Sequence, residues 1–550
     1  QWKETYRDRV AAWLADSAEP VAIVDRLSVH APLSRDQVAG VVDYLRSLLV
    51  EAIDNAVVDT KYVQDELSHR LAIAGILPMF GFPTQVRSLF WDKAGLKADD
   101  SAISDRPLDH AVWAFAPGAE IPKDKKLFSA CGFVVKRDGY KGTYNEEDPL
   151  GLPLLYTRCI DQDCGAIAHG TAETCAVCGN ESIDFSLYQP RGFMAAWHTR
   201  NYDGQRSRGP ALPPPVLSFE PAYSEEVACG PLQLAFKKDA IALVNDNEAK
   251  LYEFSKTQFN QVVVKEAYYR DKSITKDWVN AEPIGRGAIG AVFTTDVMSC
   301  IFKGAPGIGR NGLLDVVDQP SARPALASFV EFLKQAVAFE LDVSPDEFRV
   351  GRQLVTIDGT RTEQLFLADA LENGAGYSRM ASDPETLRTW LASHYERERA
   401  RWSKPFHADS CDRSCPDCLR NYGNRFSHGL LDWRLALDLA EIALGLPMDV
   451  SRWLKGCDDP VVRGFVELAK PAGLDLVVSD HDGLVAISRG ERGIVLGHPL
   501  WHVVEGLEQP AHLKAVQDLR ASLGSYAKVD FVDARDFAAR PVTYLLGFQG

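Results

Sequence analysis

Seven of the eleven cysteines fall into two tight clusters, and this grouping constrains how the 550-residue chain can fold more than any other feature. The first cluster is Cys159-x4-Cys164 followed by Cys175-x2-Cys178. Two close cysteine pairs separated by ten residues suit a tetrahedral ion that is held by two turns. Four sulfur ligands leave no open coordination position, which is typical of a structural rather than a catalytic zinc site. We therefore predict that these four cysteines bind one Zn²⁺.

The second cluster contains three cysteines: Cys411, Cys415 and Cys418. A closed tetrahedral zinc site needs a fourth ligand. His407 lies four residues upstream and is the predicted ligand, while His428 and Cys457 are alternatives that the spacing leaves open. Three cysteines also suit an iron–sulfur centre with an open position, and spacing alone does not separate the two kinds of site.

The charge and hydropathy of the chain limit the cellular compartments and the classes of partner that we expect for it. Asp and Glu outnumber Lys and Arg by 76 to 60, giving a formal net charge of −16. This balance argues against a surface that is basic throughout and binds nucleic acid or acidic membranes, although it does not exclude a local basic groove. No apolar run reaches the roughly 18 residues of a membrane span and no secretory signal is present, so we expect a cytoplasmic protein without a membrane partner. There, clustered cysteines indicate metal ligands rather than disulfides.

The sequence begins Gln1-Trp2-Lys3, without an initiator Met. We expect either a processed chain or a part of a longer one.

Hydrophobic periodicity predicts an α+β multidomain chain. Residues 1–75 form a helical N-terminal segment, in which the apolar stripe Val38–Leu49 predicts a buried helix face. Residues 76–230 form an accessory domain in which the first cysteine cluster lies between short strands, as in a zinc-ribbon-like insert. Residues 231–458 form a mixed α/β zinc-binding domain with the second cluster. Residues 459–550 form a small C-terminal α/β unit.

The chain lacks the common motifs of nucleotide-driven motors and hydrolases. Gly285–Val292 matches the dinucleotide and protein-kinase glycine patterns, but the residues after Gly290 predict a strand where a Rossmann loop needs a helix. We interpret these glycines as turns between strands. No Gly-Lys-Ser or Gly-Lys-Thr phosphate loop occurs, and no catalytic residue is predicted. Asp475, Asp480 and Asp482 lack a Glu-x-Lys partner, so we interpret them as a solvated turn rather than a magnesium-dependent nuclease site.

The second cluster and its surroundings resemble a known domain. They are similar to the MrfA-type zinc-binding (MZB) domain at the C-terminus of mitomycin-repair helicases, which also occurs in helicases and accessory proteins of bacterial anti-phage systems. The matching run is Cys411-x3-Cys415-Pro416-Asp417-Cys418-Leu419-Arg420-Asn421-Tyr422-x-Asn424, followed by His428 and Leu430-Leu431-Asp432. Three further segments share the resemblance: Thr294–Met298, Leu367–Asp369 with Gly374–Tyr377, and Ile76–Pro83. The large helicases of the Druantia system are nearest in pattern, and DISARM proteins come next.

The resemblance implies a function by association. Its parent helicases use ATP to translocate on DNA, and the zinc domain is a rigid accessory that shapes the DNA path. We therefore expect an accessory region of an ATP-dependent DNA helicase in anti-phage defence. The expected partners are DNA, a helicase motor in cis or in trans, and other defence proteins, with ATP bound only by a motor outside this chain.

Two other functions stay open at this stage. One is a stand-alone, non-enzymatic zinc scaffold that partners a separate defence helicase. The other is a zinc-dependent hydrolase, which would require an open metal position. The chain also departs from the family, because the family's site usually has four cysteines and because residues 459–550 lie outside the resemblance.

Arginines and aromatic residues are interleaved around the second cluster: Arg413, Arg420, Tyr422, Arg425 and Phe426. Such residues can hold phosphates and stack bases. The interpretation that we favour is that they pack the knuckle and pair with Asp412, Asp417 and Asp432. The run Arg191–Arg208 is a second candidate for a DNA-facing loop.

Overall fold

The computed structural model describes residues 2–28, 35–58, 67–77, 85–91, 97–140, 142–161, 164–202, 204, 216–217, 226–264, 267, 280–305, 308, 312–453, 455–501, 509–524 and 526–548. The chain divides into two compact units: Gln1–Gln85 with Leu371–Asn373, and Val86–Ala370 with Gly374–Gly550. Most of the segment Ile76–Pro83 lies outside the described residues. None of the helices in these ranges has the length and apolar character needed to cross a bilayer.

The first unit is helical, as the sequence predicts. Its helices are α1 (Arg7–Asp16), α2 (Glu19–Ser28), α3 (Arg35–Ser47), α4 (Leu49–Val58) and α5 (Leu67–Ile73), and a π-helical turn at Trp2–Tyr6 comes before them. The core of this unit is centred on Ile53 and Ala56 of α4 and Leu71 of α5.

Most of the apolar stripe Val38–Leu49 lies outside that core, although Leu49 at its end packs against it. Helix α3 has no buried residue among those described, and Val41 and Leu48 are 41% and 51% exposed. The prediction that this stripe forms a buried face is therefore wrong. A small helical unit encloses too little volume to cover every apolar face, and α4 and α5 occupy its centre.

The second unit combines helices with an extensive set of strands. Its helices are α6 (Ala98–Ser101), α7 (Leu108–Ala114), α8 (Ala322–Glu340), α9 (Tyr377–Ala381), α10 (Pro384–Trp402), α11 (Pro405–Ala408), α12 (Trp433–Leu444), α13 (Pro460–Ala469), α14 (Pro510–Leu523), α15 (Ala534–Ala539) and α16 (Pro541–Gly547). Short 3₁₀ turns lie at Pro345–Glu347, Val450–Arg452 and Lys470–Ala472.

The strands before the long insertion of α8 are β1 (Val86–Trp91), β2 (Ala102–Pro107), β3 (Glu120–Lys123), β4 (Lys126–Phe133), β5 (Lys136–Gly139), β6 (Gly142–Asn145), β7 (Leu154–Cys159), β8 (Ile167–His169), β9 (Ser182–Tyr188), β10 (Phe193–Ala195), β11 (Arg200–Asn201), β12 (Val216–Leu217), β13 (Val227–Cys229), β14 (Leu232–Asn245), β15 (Tyr252–Lys256), β16 (Val262–Val264) and β17 (Glu282–Phe302). Those after it are β18 (Phe348–Ile357), β19 (Thr360–Asp369), β20 (Val477–His481), β21 (Leu484–Arg489), β22 (Arg492–Gly497) and β23 (Lys528–Asp533).

Strand β17 connects the parts of the main sheet. Its first half pairs with β15 and, in parallel, with β9, and its second half pairs with β14 and β19. The register with β14 runs from Asn245↔Ile289 to Leu232↔Phe302. Strand β15 continues the sheet through β16, β4 and β10 to β1. Residues on both sides of the predicted boundary between 230 and 231 therefore share one sheet.

Three glycines of the nucleotide-like pattern lie inside β17, so the interpretation of Gly285, Gly287 and Gly290 as turns between strands is wrong. A Cβ on Gly287 would lie 2.6 Å from the carbonyl oxygen of Ser186, and one on Gly290 would lie 2.4 Å from that of Leu243. Glycine is required here because the neighbouring backbones approach so closely. The residues after Gly290 continue the strand as predicted, which agrees with the rejection of a Rossmann loop.

The C-terminal residues form the predicted small α/β unit. Helix α13 precedes an antiparallel meander of β20, β21 and β22, and α14 leads to β23, which lies parallel to β22. Asp482 and Gly483 occupy the β20–β21 turn with φ of 55° and 84°, and the Gly483 N–H donates to Asp480 Oδ1 over 3.1 Å. The predicted turn is confirmed at Asp482 and Gly483, while Asp480 lies in strand β20 and accepts a hydrogen bond from the turn.

The main hydrophobic core of the second unit crosses the predicted boundary at residue 458. It includes Trp402 and Leu435 on one side and Phe465, Ile487 and Phe537 on the other. Helix α8 lies within this core and packs against α10, α12 and β18. The predicted domain limits at 75, 230 and 458 stay predictions.

Candidate metal centres

The first cysteine cluster lies at the end of a small ribbon in which β7 pairs antiparallel with β8 and β9. Cys159 is the last residue of β7. Gly165 and Gly179 directly follow Cys164 and Cys178, with φ of 55° and 75°. Glycine adopts this left-handed conformation at little cost, so each segment can turn back tightly enough to bring its cysteines toward a common centre.

The four ligand atoms of the first cluster all lie within 4.8 Å of one another. Cys159 Sγ is 3.4 Å from Cys178 Sγ, and Cys164 Sγ is 3.7 Å from Cys175 Sγ. These distances exceed the ~2.05 Å of a disulfide bond. They are close to the edge of about 3.8 Å that a tetrahedron has when each Zn–S distance is about 2.3 Å. The donor set and its spacing therefore fit a zinc ion.

The second cluster is built by a short helix and a knuckle. Helix α11 carries His407, whose carbonyl oxygen accepts the Cys411 N–H over 2.8 Å. In the knuckle, the Cys418 N–H donates to the carbonyl oxygen of Cys415 and the Cys415 N–H donates to Cys418 Sγ, both over 3.1 Å. The structure brings His407, Cys411, Cys415 and Cys418 together, with one ligand atom of each within 4.8 Å of the others.

His407 is held as a metal-ligating histidine should be. Its Nδ1 lies 3.0 Å from the carbonyl oxygen of Trp402, which fixes the proton on Nδ1 and leaves the lone pair on Nε2. Its Nε2 is buried and has no hydrogen-bond partner among the described residues. A buried acceptor without a partner is costly, and a metal ion at this point would satisfy it.

The two alternative ligands lie elsewhere. His428 Nε2 is 3.0 Å from both the carbonyl oxygen of Asn421 and Asn424 Oδ1, so it supports a loop rather than facing the thiols. Cys457 belongs to neither cluster in the described part of the chain. The geometry thus favours His407 over His428 and Cys457.

Burial affects the acidity of the clustered thiols in the absence of a cation. It raises the pKa of Cys164 and Cys411, the latter also through the neighbouring Cys418 thiolate. Burial likewise raises the pKa of Cys418 to about 11. Such thiols stay protonated at neutral pH until a cation displaces the proton, so metal binding here releases protons.

The arginines near the second cluster do not form the expected ion pairs. Among the described residues, Asp432 pairs instead with Arg434 and Arg535, at 3.1 and 3.3 Å. Arg420 Nε donates to Ser414 Oγ over 2.9 Å, and Arg425 lies against the rings of Tyr422 and Phe426. The predicted ion pairs of Arg413, Arg420 and Arg425 with Asp412, Asp417 and Asp432 are therefore wrong, because Asp432 is buried among other arginines, whereas the contact of Arg420 with Ser414 agrees with the predicted packing of the knuckle.

The second basic run is largely neutralised where the structure describes it. Arg191 pairs with Glu146 at 2.8 Å, Arg200 pairs with Glu120, and Phe193 is fully buried in the core. These contacts give the run a structural role in this region.

A buried carboxylate organises the turn that follows β19. Asp369 is fully buried and accepts hydrogen bonds from the backbone N–H groups of Ala375 (2.6 Å) and Ser378 (2.8 Å) and from Ser378 Oγ (2.6 Å). Gly376 has a φ of 83° within this turn. The motif Leu367–Asp369 with Gly374–Tyr377 is therefore a strand end with its capping turn.

A buried ionic network links α12 to the C-terminal sheet, and sequence reasoning missed it. Arg452 contacts Asp438 and Glu441 of α12, and all three side chains are almost fully buried. His498, which follows β22, places Nε2 3.2 Å from Asp438 Oδ2, and Trp453 Nε1 donates to the same oxygen over 2.8 Å. The partners are far apart in sequence, so no local pattern could have indicated them.

Comparison with known proteins identifies the region around the second cluster. Residues 329–419 match the family model described as the MrfA Zn-binding domain. Residues 329–419 are therefore similar to an MrfA-type zinc-binding domain, called the MrfA-type domain below. The matched range of this domain includes His407 and all three cysteines of the second cluster. The predicted resemblance to this domain is confirmed.

The chain is also similar to the Druantia protein DruE of Escherichia coli strain UMEA 4076-1, with 25% identity over 422 residues. The similarity covers 70% of this chain but only 22% of DruE, so the chain spans about a fifth of the relative's length. The predicted similarity to a protein of the Druantia system is confirmed. The similar region extends well beyond the MrfA-type domain itself.

Two solved structures show a weaker likeness. A crystal structure of the DUF1998 helicase MrfA bound to DNA has a TM-score of 0.28 and 10% identity, covering 66% of this chain and 34% of that chain. A second, bound to DNA and AMPPNP, has a TM-score of 0.25 and 10% identity, covering 64% and 31%. Likeness at this level assigns neither fold nor function.

Proposed function

We propose that both clusters bind structural Zn²⁺. Cys159, Cys164, Cys175 and Cys178 would hold one ion, and His407, Cys411, Cys415 and Cys418 the other. The observation that carries this proposal is the convergence of His407 Nε2, buried and unpartnered among the described residues, with three thiols. Four protein ligands at each site leave no position for water, so the ions would cross-link the chain rather than activate a nucleophile.

We propose further that this chain is an accessory region of an ATP-dependent DNA helicase in bacterial anti-phage defence. The MrfA-type domain and the similarity to DruE support this function. Zinc would stiffen two surfaces that guide DNA, while ATP would be hydrolysed by a motor in cis or in trans. Other defence proteins are proposed partners, and the cytoplasm is the proposed compartment.

The metal assignment is tested by the zinc content of the purified chain, measured by inductively coupled plasma mass spectrometry. We expect two Zn²⁺ per chain, one for each cluster. His407→Ala should lower the content to one, because three thiols hold zinc more weakly, and His407→Cys should restore it. The matched control His428→Ala should keep both ions. Iron with its visible absorbance, or unchanged zinc in His407→Ala, would contradict the assignment.

The role in a helicase is tested in the intact defence system. Reading the gene upstream of the codon for Gln1 distinguishes a helicase part from a separate scaffold, because only the former continues into a phosphate-loop motor.

Replacing Cys415 and Cys418 by Ser should then reduce DNA-stimulated ATPase activity and protection against phage. Wild-type ATPase activity and protection in this variant, despite loss of zinc, would contradict the proposed function.

A further inference from the structure

The loop that follows the second metal cluster forms one wall of a cleft with a volume of about 490 Å³. We define this stacking loop as residues 421–428. Tyr422 and Phe426 are 79% and 39% exposed at the cleft, although aromatic rings of this size usually bury more of their surface. Strand β18 and helices α7 and α8 provide the other walls. Exposed planar rings beside a cleft indicate a ligand that offers a flat face of its own.

Hydrogen bonds within the stacking loop hold its backbone in one conformation, which keeps the two exposed rings at the cleft. Asn421 and Asn424 exchange backbone-to-side-chain hydrogen bonds of 2.9 and 3.0 Å, and Asn424 Nδ2 donates to the carbonyl oxygen of Leu419 over 2.8 Å. His428 closes the loop through its two 3.0 Å contacts with Asn421 and Asn424. A loop backbone held in this way loses little conformational entropy when a ligand binds.

A guanidinium group lies against both exposed rings. Arg425 Cζ is 4.5 Å from the Tyr422 ring centre and 4.2 Å from that of Phe426, and Nη1 donates to the carbonyl oxygen of Tyr422 over 3.3 Å. Arg425 has no carboxylate partner among the described residues. The loop therefore combines flat apolar faces with one uncompensated positive charge, which is the chemistry that binds a base together with its phosphate.

The charge elsewhere in the cleft favours a single strand over a duplex. Arg349 pairs with Asp109 and Lys334 pairs with Glu331, so the cations of the floor are already neutralised. Duplex binding relies mainly on many phosphate contacts. A single strand can instead expose its bases to aromatic side chains, and stacking then supplies much of the affinity.

We propose that the stacking loop binds single-stranded DNA, with bases stacked on Tyr422 and Phe426 and a phosphate held by Arg425. This inference rests on the proposed function and names the contact through which the region meets DNA.

The test measures binding of a fluorescein-labelled oligothymidylate to the full zinc-loaded chain by fluorescence anisotropy. Tyr422→Ala should weaken binding by about 5- to 150-fold, the range that corresponds to the loss of one base–aromatic stack. Tyr422→Phe keeps the ring and should retain wild-type affinity. The matched control is Tyr526→Ala, because Tyr526 is 91% exposed and lies outside the cleft.

Salt dependence provides a second readout for the charged member of the loop. Arg425→Gln should reduce the slope of log affinity against log salt by about 0.7, the value for one phosphate contact with a single strand. Tyr422→Phe should leave that slope unchanged. Zinc content and melting temperature of each variant establish that folding is intact.

The outcomes separate this inference from the proposed function. Unchanged affinity in Tyr422→Ala, or equal weakening in Tyr526→Ala, would overturn the stacking site while leaving a DNA-binding accessory role in place. Preference of the wild-type chain for duplex would do the same. If the zinc-loaded chain binds neither form of DNA, both the site and the proposed DNA contact are wrong. Photocrosslinking of a 5-iodouracil oligonucleotide to Tyr422 would support the site directly.

Discussion

At the scale of single residues, His407 and His428 show what spacing can and cannot predict. Both lie near the three cysteines in sequence, and proximity alone favours His407. His407 has a buried Nε2 that lacks a partner among the described residues, whereas the Nε2 of His428 acts as a donor toward the carbonyl oxygen of Asn421 and Asn424 Oδ1. That difference depends on where Trp402 and Asn421 lie in three dimensions, so it was outside the reach of the sequence.

A buried carboxylate in the C-terminal unit predicts a pH dependence of stability. Burial raises the pKa of Asp533 to about 6, well above the roughly 3.9 of an unfolded aspartate. The folded state holds the proton on Asp533 more tightly than the unfolded state does, so the protonated carboxyl stabilises the fold below pH ~4. This stabilisation, on the order of 3 kcal/mol, is lost as pH rises through ~6. Urea unfolding between pH 4 and 7 should show this fall in the wild type but not in Asp533→Asn.

The control for this prediction is Asp530→Asn, which changes an exposed carboxylate on the same strand β23. It should retain the wild-type pH profile, including any contribution from the metal sites that all three proteins share. Parallel profiles for Asp533→Asn and the wild type would contradict the assignment of this titration to Asp533.

At the scale of elements, periodicity gave the helical N-terminal segment and the small C-terminal α/β unit correctly, but it misread β17. Gly285, Gly287 and Gly290 are typical of turns when they are considered with their neighbours in sequence. In the structure, Gly287 and Gly290 allow close approach of β9 and β14, which come from distant parts of the chain, whereas Gly285 has open space around it and a φ of 137°. Pairing between distant strands overrides local preference, and a single sequence does not display it.

Replacing Gly290 by Ala should destabilise the second unit by about 1–3 kcal/mol, because the added Cβ forces the backbone of Leu243 away from β17. The midpoint of chemical unfolding measures this change. Gly464→Ala is the matched control, since Gly464 is exposed in helix α13 with open space around it. That control should be neutral or stabilising by up to about 1 kcal/mol. Equal effects of the two substitutions would contradict the close-approach explanation.

At the scale of the whole molecule, the buried network of Arg452 joins the C-terminal unit to α12, and α12 packs against α8 and α10 of the MrfA-type domain, which indicates that these parts unfold together. Arg452→Met leaves Asp438 and Glu441 buried without their cation, which typically costs about 3–5 kcal/mol. Calorimetry should show one transition for this region in the wild type, shifted to lower temperature in the variant. The matched substitution Arg463→Met, on the exposed face of α13, should change little. Separate transitions for the two parts would show that the network does not couple them.

Strand β17 also sets how force passes through the second unit. Its 21 residues have a contour length of about 70 Å, and hydrogen bonds to β9, β14, β15 and β19 brace it along both edges. Because of this pairing, β17 has no flexible link between the cysteine ribbon at one end and the MrfA-type domain at the other. Displacement of one end of β17 would therefore be transmitted to the other end, so mechanical work delivered to this unit would move the two cysteine clusters together.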